Sequence, residues 1–276
     1  MSALEFAAGL LAIAVALSLV MSLAWVVEQR SGNSGWIDTV WTFGLGVVGI
    51  ASALVPLGDG AENLPRRWLV ALAAAAWALR LGAHIASRTS GITDDPRYAA
   101  LRQGYGAQAS FQMWLLVQKQ ALVSIPLGLA IFLAAHNPAA ALRPQDYLAI
   151  IVFAAAIGGE AMADRELRNF RQALSGRGGI CDVGLWRLSR HPNYFFEWLG
   201  WLGYPLIAVD LTGGYGRGWL ALAAPACMYW LLVHVSGIPP LEEHMLRTRG
   251  AAFAAYQART SAFFPWPSRN TAGAIK

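Results

Sequence analysis

Seven apolar runs, near residues 3–27, 36–57, 68–86, 112–135, 146–163, 194–211 and 217–236, dominate this chain and exclude most soluble folds. Crossing the hydrocarbon of a bilayer takes roughly 20 helical residues, and the runs are of about that length. Hydrophobic residues make up 56% of the 276 and charged ones only 13%, which is the balance of an integral membrane protein, and twelve tryptophans suit anchoring at the membrane interface. The expected fold is all-α: a polytopic bundle of about seven transmembrane helices with a C-terminal amphipathic cytosolic helix, one integral membrane domain over residues 1–276. No basic residue precedes the first run, which predicts a retained helix rather than a cleaved signal. Pro126, Pro205 and Pro225 fall inside runs, where neighbouring helices can satisfy the carbonyls they free and where each can kink its helix.

Positive charge orients the bundle. Of the 21 Lys and Arg residues, fifteen fall in 28–35, 87–111, 164–193 and the tail 237–276, against four (Arg66, Arg67, Arg143 and Arg217) on the alternate side. Cytoplasmic loops collect Lys and Arg, so the N-terminus is expected outside and the C-terminus in the cytoplasm, in a bacterial inner membrane. The same bias accounts for the net charge of +5 without nucleic acid as a partner. In the tail, Pro239 and Pro240 are placed to begin a helix with Glu242 and Glu243 in its first turn and Leu246, Phe253 and Tyr256 on an apolar face, packed beneath the bundle as a lid. Asp94 and Asp95 before Pro96 mark another helix start, with Arg97 and Tyr98 in its first turn.

Polar chemistry concentrates between Asp164 and Glu197. Asp164, Arg168 and Arg171 recur at i, i+4 and i+7, which puts a carboxylate and two guanidiniums on one face of a helix leaving the membrane. A guanidinium is a planar fork that matches phosphate; the alternative use of Arg165, Arg168 and Arg171 is membrane-surface anchoring with ordinary ion pairs. Pro192 opens the sixth run, Asn193 and Glu197 share a face at i, i+4, and Glu197 enters the apolar region, where a ligand, an arginine or Asn193 must satisfy its carboxylate. Gly176, Gly178 and Gly179 around Arg177 give a loop able to approach a ligand. The sequence has no strand-borne G-x-G-x-x-G and no P-loop, so a dinucleotide would be held by arginines and helix ends. Cys181, Cys227 and the five histidines show neither metal-ligand spacing nor a disulfide framework.

Asp164 through Arg171, the stretch Arg190-His191-Pro192-Asn193-Tyr194-Phe195-Phe196-Glu197-Trp198, and the closing pattern of Glu242-Glu243, Gly250, Tyr256 and Arg259 to Pro265 resemble the C-terminal part of the steroid 5-alpha-reductase family, specifically its bacterial DUF1295 branch, over about 158–265. Asp38 with Trp41, and Asp94 to Tyr98, look like the same branch. The resemblance implies a seven-helix reductase that holds NADPH in a cytosol-facing cavity and passes hydride to an activated carbon–carbon double bond of a lipid. It carries cofactor contacts onto Asp164, Arg168, Arg171, Asn193 and Glu197 and a phosphate-facing arginine onto Arg88. By proximity it extends them to Trp186, Arg187, Arg190, His191 and Tyr194. Several arginines favour a 2′-phosphate, hence NADPH over NADH. Steroid reductases polarise the substrate carbonyl with a Gln-Glu pair near the second span and a tyrosine ending the third. Here Glu28-Gln29 has the reverse order and Ile85 stands in the tyrosine's place, so the expected substrate broadens to a hydrophobic enone lipid, steroid-like or isoprenoid.

Hydride delivered to an enone leaves negative charge on oxygen, which an acid must hydrogen-bond or protonate. Asp38, His84, Glu28 and Tyr98 are the candidates. Asp38, two residues into the second run, can serve as that acid or can be a helix-start carboxylate paired with Arg30 or Arg80. His84 shares a face with Arg80, as catalyst or as a bonded packing residue. Lys119, between Gln118 and Gln120, is expected to face the cavity. Two other functions compete. Membrane methyltransferases of the isoprenylcysteine and phospholipid type, which use S-adenosylmethionine, share an Arg-His-Pro-x-Tyr turn and a downstream Glu-Glu; Asn193 with Glu197, and the phosphate-binding charge of Asp164, Arg168 and Arg171, favour the reductase. A non-catalytic lipid-binding protein would use the polar groups as glue between spans. The partners expected throughout are membrane lipids and a hydrophobic small molecule or lipid.

Overall fold

The first helix, α1 (Ala3–Ser31), begins where a capping box can form: the Ser2 hydroxyl accepts the Glu5 N–H at 3.1 Å and the Glu5 carboxylate accepts the Ser2 N–H at 2.6 Å. It ends at Gly32, whose φ of +69° turns the chain out of the helix. Five helices follow, α2 (Trp36–Leu54), α3 (Leu64–Ser90), α4 (Pro96–Tyr105), α5 (Ala109–Ala135) and α6 (Pro144–Ala173). As the Asp-Asp-Pro pattern predicts, Asp95 caps α4 by accepting the Arg97 N–H and Pro96 opens it. This computed structural model describes residues 1–57, 64–173 and 179–267; Gly176, Arg177 and Gly178 of the glycine loop lie outside the described residues.

Among the described residues, six helical stretches are long and apolar enough to cross a membrane, not seven. They are α1, α2, α3, α4 continued into α5, α6, and Gly216–Arg249. The expected sixth span is instead two short helices, α7 (Pro192–Trp201) and α8 (Gly203–Ala208), broken at Leu202. Gly203 and Pro205 account for the break, since glycine weakens a helix interior and proline removes a donor. The last stretch is composite: a 3-10 segment Gly216–Leu222, α9 (Ala223–Trp230), a π-helical turn Leu231–Val235 and α10 (Ile238–Arg249). The single tail helix also divides. Gly250, at φ +51°, separates α10 from α11 (Ala251–Arg259), and because α10 starts at Ile238, Glu242 and Glu243 fall in its second turn rather than its first.

Two compact units are distinguished, residues 1–150 with 204–224, and 151–203 with 225 onward. In the first, α2 lies against α1 and α3, and α5 against α1. Small residues permit the approach: a Cβ on Gly46 would stand 2.3 Å from that of Ala78. Where α3 begins, Arg66 and Asp146 form a buried ion pair at 2.9 Å, and Arg67 donates to the Ala53 and Leu54 carbonyls that end α2. Asn137 holds the Ile207 and Ala208 carbonyls of α8 at 3.1 and 3.0 Å. In the second unit, the Phe196 ring of α7 occupies the space a Cβ on Gly159 of α6 would need. Trp198 donates to the Pro225 carbonyl at 3.1 Å and joins Phe195, Tyr229, Phe263 and Phe264 in an aromatic cluster.

Candidate functional site

Polar side chains gather in each unit, and each group is built by its own helices. In the first unit, α4 brings Arg97 and Tyr98 to Asp38 in the first turn of α2. Arg97 Nη2 donates to Asp38 Oδ2 at 2.8 Å, the Tyr98 hydroxyl donates to Oδ1 at 2.8 Å, and Gln120 Nε2 of α5 donates to the Tyr98 oxygen at 2.9 Å. Arg97 is fixed in turn by Asp95, through Nε at 3.0 Å and Nη2 at 2.9 Å. Burial opposes ionisation of Asp95, but the bonds and charge of Arg97 outweigh it and hold the carboxyl below its usual range. Asp94 accepts the Ser34 N–H at 2.8 Å, and Asn33 donates to the Thr89 and Ile92 carbonyls, so the turns after α1 and α3 are tied together beside the network.

The partners expected for Asp38, Arg30 or Arg80, are thus replaced by Arg97. Glu28 is fully buried, ion-paired with Arg102 of α4 and bonded to Gln29. His84 lies half-buried on α3 with interactions of its own. Arg88 is half-exposed, 3.8 Å from Asp95. Lys119 does not face inward. It is exposed, while its neighbours turn to opposite partners, Gln118 to Ser18 and Ser22 of α1 and Gln120 to Tyr98. A helix advances about 100° per residue, so the two glutamines cannot share a wall with the lysine between them.

In the second unit, Asp164 is buried on α6 and engaged there, while Arg165, Arg168 and Arg171 beyond it are exposed. Arg187, in the 3-10 turn Gly184–Arg187, is exposed as well. That turn is held from both sides: Glu166 accepts the Leu185 N–H at 2.9 Å, Trp186 Nε1 donates to the Ala163 carbonyl at 2.9 Å, and the Tyr256 hydroxyl of α11 donates to the Trp186 carbonyl. Arg190 and His191, expected as ligand contacts, are committed to Glu242 of α10 at 2.7 and 2.8 Å, and Gln257 bonds the same carboxylate at 2.7 Å. Tyr194 stacks on His191 with centroids 5.4 Å apart. Asn193 accepts the Tyr194 N–H at 3.1 Å, and buried Glu197 accepts Trp201 Nε1 at 2.8 Å, one turn along α7. An open pocket of about 390 Å³ is lined by Arg190, Gln257, Arg259, Thr260 and Trp266 among others, with Arg259 ion-paired to Asp182. No group of three or more His, Cys, Asp or Glu among the described residues is placed to hold a metal.

Sequence reasoning missed Gln120 and Gln257, and it took Glu242 for a helix-start charge. Their partners are 22, 15 and 52 positions away, as for Glu242 with Arg190, and no local spacing announces such pairs. A family model covers residues 24–260. The chain belongs to the DUF1295 family. That family is described as proteins of unknown function. Every candidate residue from Glu28 to Glu197 lies within the DUF1295 match, as do Gln120, Glu242 and Gln257. No curated protein and no solved structure matches the chain.

Proposed function

We propose that this DUF1295 protein is a membrane reductase that uses NADPH to reduce the activated carbon–carbon double bond of a hydrophobic enone lipid, steroid-like or isoprenoid. One observation carries the reading: the guanidiniums of Arg165, Arg168, Arg171 and Arg187 are exposed, and none makes a hydrogen bond or ion pair with another described residue. Guanidiniums without partners among the described residues, at the end of a membrane helix, fit the phosphates of a dinucleotide. Arg168 and Arg171 would hold them, and Arg187 would sit on a turn whose shape Glu166, Tyr256 and the Arg190–Glu242 pair fix from behind. Bound NADPH supplies the hydride. Asp38 and Tyr98 form the hydrogen-bonded acid that takes charge from the substrate oxygen.

A specific observation favours the second reading, an S-adenosylmethionine-dependent membrane methyltransferase. Its two shared motifs, the Arg-His-Pro turn and the Glu-Glu of α10, meet in one hydrogen-bonded group through Arg190, His191 and Glu242. The arginines that have no partner among the described residues weigh against it, since S-adenosylmethionine brings no phosphate for them.

The proposed setting is a bacterial inner membrane, with the N-terminus outside and the C-terminus cytoplasmic. In the first unit Arg66, Arg67, Arg143 and Arg217 are each spent on carbonyls or on Asp146, while Arg88 in the last turn of α3 and Arg97 on α4 stay half-exposed beside their carboxylate partners. The topology requires α7 and α8 to cross as one broken span, which at 192–208 is shorter than the roughly 20 residues of a regular one. Thermal stabilisation of the detergent-purified chain by NADPH, NADH and S-adenosylmethionine tests the function. Stabilisation by NADPH supports the reductase; stabilisation by S-adenosylmethionine alone overturns it.

A further inference from the structure

The hydrogen bonds around Tyr98 have a fixed sense. The Gln120 amide nitrogen can only donate, and it stands 2.9 Å from the Tyr98 oxygen. The Asp38 carboxylate can only accept, and it takes Arg97 on one oxygen and the Tyr98 hydroxyl on the other, each at 2.8 Å. Donation therefore runs from Gln120 to Tyr98 to Asp38, and the single phenolic proton is spent on Asp38. Nothing is left to give to a substrate oxygen. A proton added to Asp38 reverses the last link, because the carboxylic O–H then donates to Tyr98. With the Gln120 N–H on the other lone pair, both accepting positions of the phenol are filled, and its own proton must point away from Asp38. Tyr98 is 6% exposed and the Asp38 side chain 23%, so water has its access at Asp38.

We propose that Asp38 is the loading site and Tyr98 the delivering atom of a one-proton relay, with Gln120 the positioning residue that makes delivery one-way. The inference rests on the reductase reading. Once hydride has reached carbon, the substrate oxygen carries the charge. The Tyr98 O–H bond breaks as an O–H forms on that oxygen, and the Asp38 proton passes to the Tyr98 oxygen. Asp38 is left as a carboxylate, and water supplies its next proton. The charged groups facing this relay are Arg97 of α4 on Asp38, Asp95 on Arg97, and Arg88 of α3 at 3.8 Å from Asp95; α5 contributes the neutral Gln120. Arg97 is shared with Asp95, which takes two of its hydrogen bonds, so its charge is divided between the two carboxylates.

Infrared difference spectra between acid and alkaline pH, on the full chain in lipid nanodiscs without ligand, test the relay apart from any turnover. A protonated-carboxyl band that disappears in Asp38→Asn and shifts in both Tyr98→Phe and Gln120→Leu is expected. No band sensitive to Asp38→Asn overturns loading at Asp38. A band unmoved by Gln120→Leu, and by Gln120→Met should the first variant lose thermal stability, overturns the role of Gln120. NADPH oxidation with an alkyl-substituted cyclohexenone then tests the chemistry: Gln120→Leu should lower kcat about tenfold with little change in KM, within the range general acid catalysis supplies, and move the alkaline limb of the pH profile. Wild-type turnover that Gln120→Leu leaves intact overturns the relay and keeps the reductase. Coupled infrared shifts without any NADPH oxidation keep the proton path from Asp38 to Tyr98 and overturn its use in reduction.

Discussion

Arg190 grips Glu242 with two parallel hydrogen bonds, Nε to Oε1 at 2.7 Å and Nη2 to Oε2 at 3.1 Å, and both side chains are nearly nine-tenths buried. The same guanidinium donates to the Gln257 and Thr260 carbonyls, so one arginine ties α10 to the end of α11. Removing one partner leaves the other as a buried, unpaired charge, which costs about 3 kcal/mol in comparable pairs. Glu242→Leu and Arg190→Met should each lower the thermal midpoint by several degrees, and the double variant by less than the two together. Strictly additive losses in detergent melts would mean that the pair contributes nothing as a pair.

That relationship also marks the limit of what the residues disclosed. Apolar length located α1, α2, α3, α5 and α6, because a span is written in consecutive residues. Asp95 and Pro96 announced α4 for the same local reason. The break between α7 and α8 was legible only at Pro205, a residue able to kink its helix; Leu202 and Gly203 look as apolar as any span, and the three-dimensional path shows where the helix gives way. Arg190, His191 and Glu242 each stood out as polar residues in an apolar chain, yet nothing in their spacing said that they satisfy one another. Asp38 and Tyr98 were picked out separately, and Gln120, the neutral residue joining them to α5, carries no signal that sets it apart from Gln118.

His191 makes stability depend on pH. Its burial holds the imidazole below the ordinary histidine value of 6.5, against the opposing pull of Glu242. The folded protein therefore keeps the ring neutral where the unfolded chain begins to protonate. Stability is full above about pH 6.5 and falls as pH drops toward the folded value, since the unfolded state binds the proton first. Melting curves between about pH 7.5 and about pH 5 should show this loss in the wild type and a shallower one in His191→Gln. Identical pH slopes would remove His191 as the source.

Gly46 and Gly104 make a matched pair of opposite sign. A Cβ on Gly46 would lie 2.3 Å from the Ala78 Cβ, whereas one on Gly104, near the end of α4, meets nothing within 4 Å. Gly46→Ala forces α2 and α3 apart and should cost about 1–3 kcal/mol. Gly104→Ala only restricts the unfolded chain and should add about 0.5–1 kcal/mol. Thermal midpoints that move the same way for both would contradict the close α2–α3 packing.

Arg168 and Arg171 should set cofactor affinity if they hold phosphate. Both are exposed on the last two turns of α6, beyond buried Asp164, so neither is needed for packing and each can be replaced without disturbing the fold. Alanine at either position should weaken NADPH binding about tenfold, equivalent to about 1.4 kcal/mol, while leaving the thermal midpoint of the ligand-free protein within about a degree. If one of them contacts the 2′-phosphate, its replacement should narrow the preference for NADPH over NADH, and the other should weaken both cofactors alike. The ligand-induced midpoint shift over a concentration series of each dinucleotide measures all of these. Unchanged NADPH affinity in both variants would return these arginines to membrane anchoring and remove the main support for the reductase.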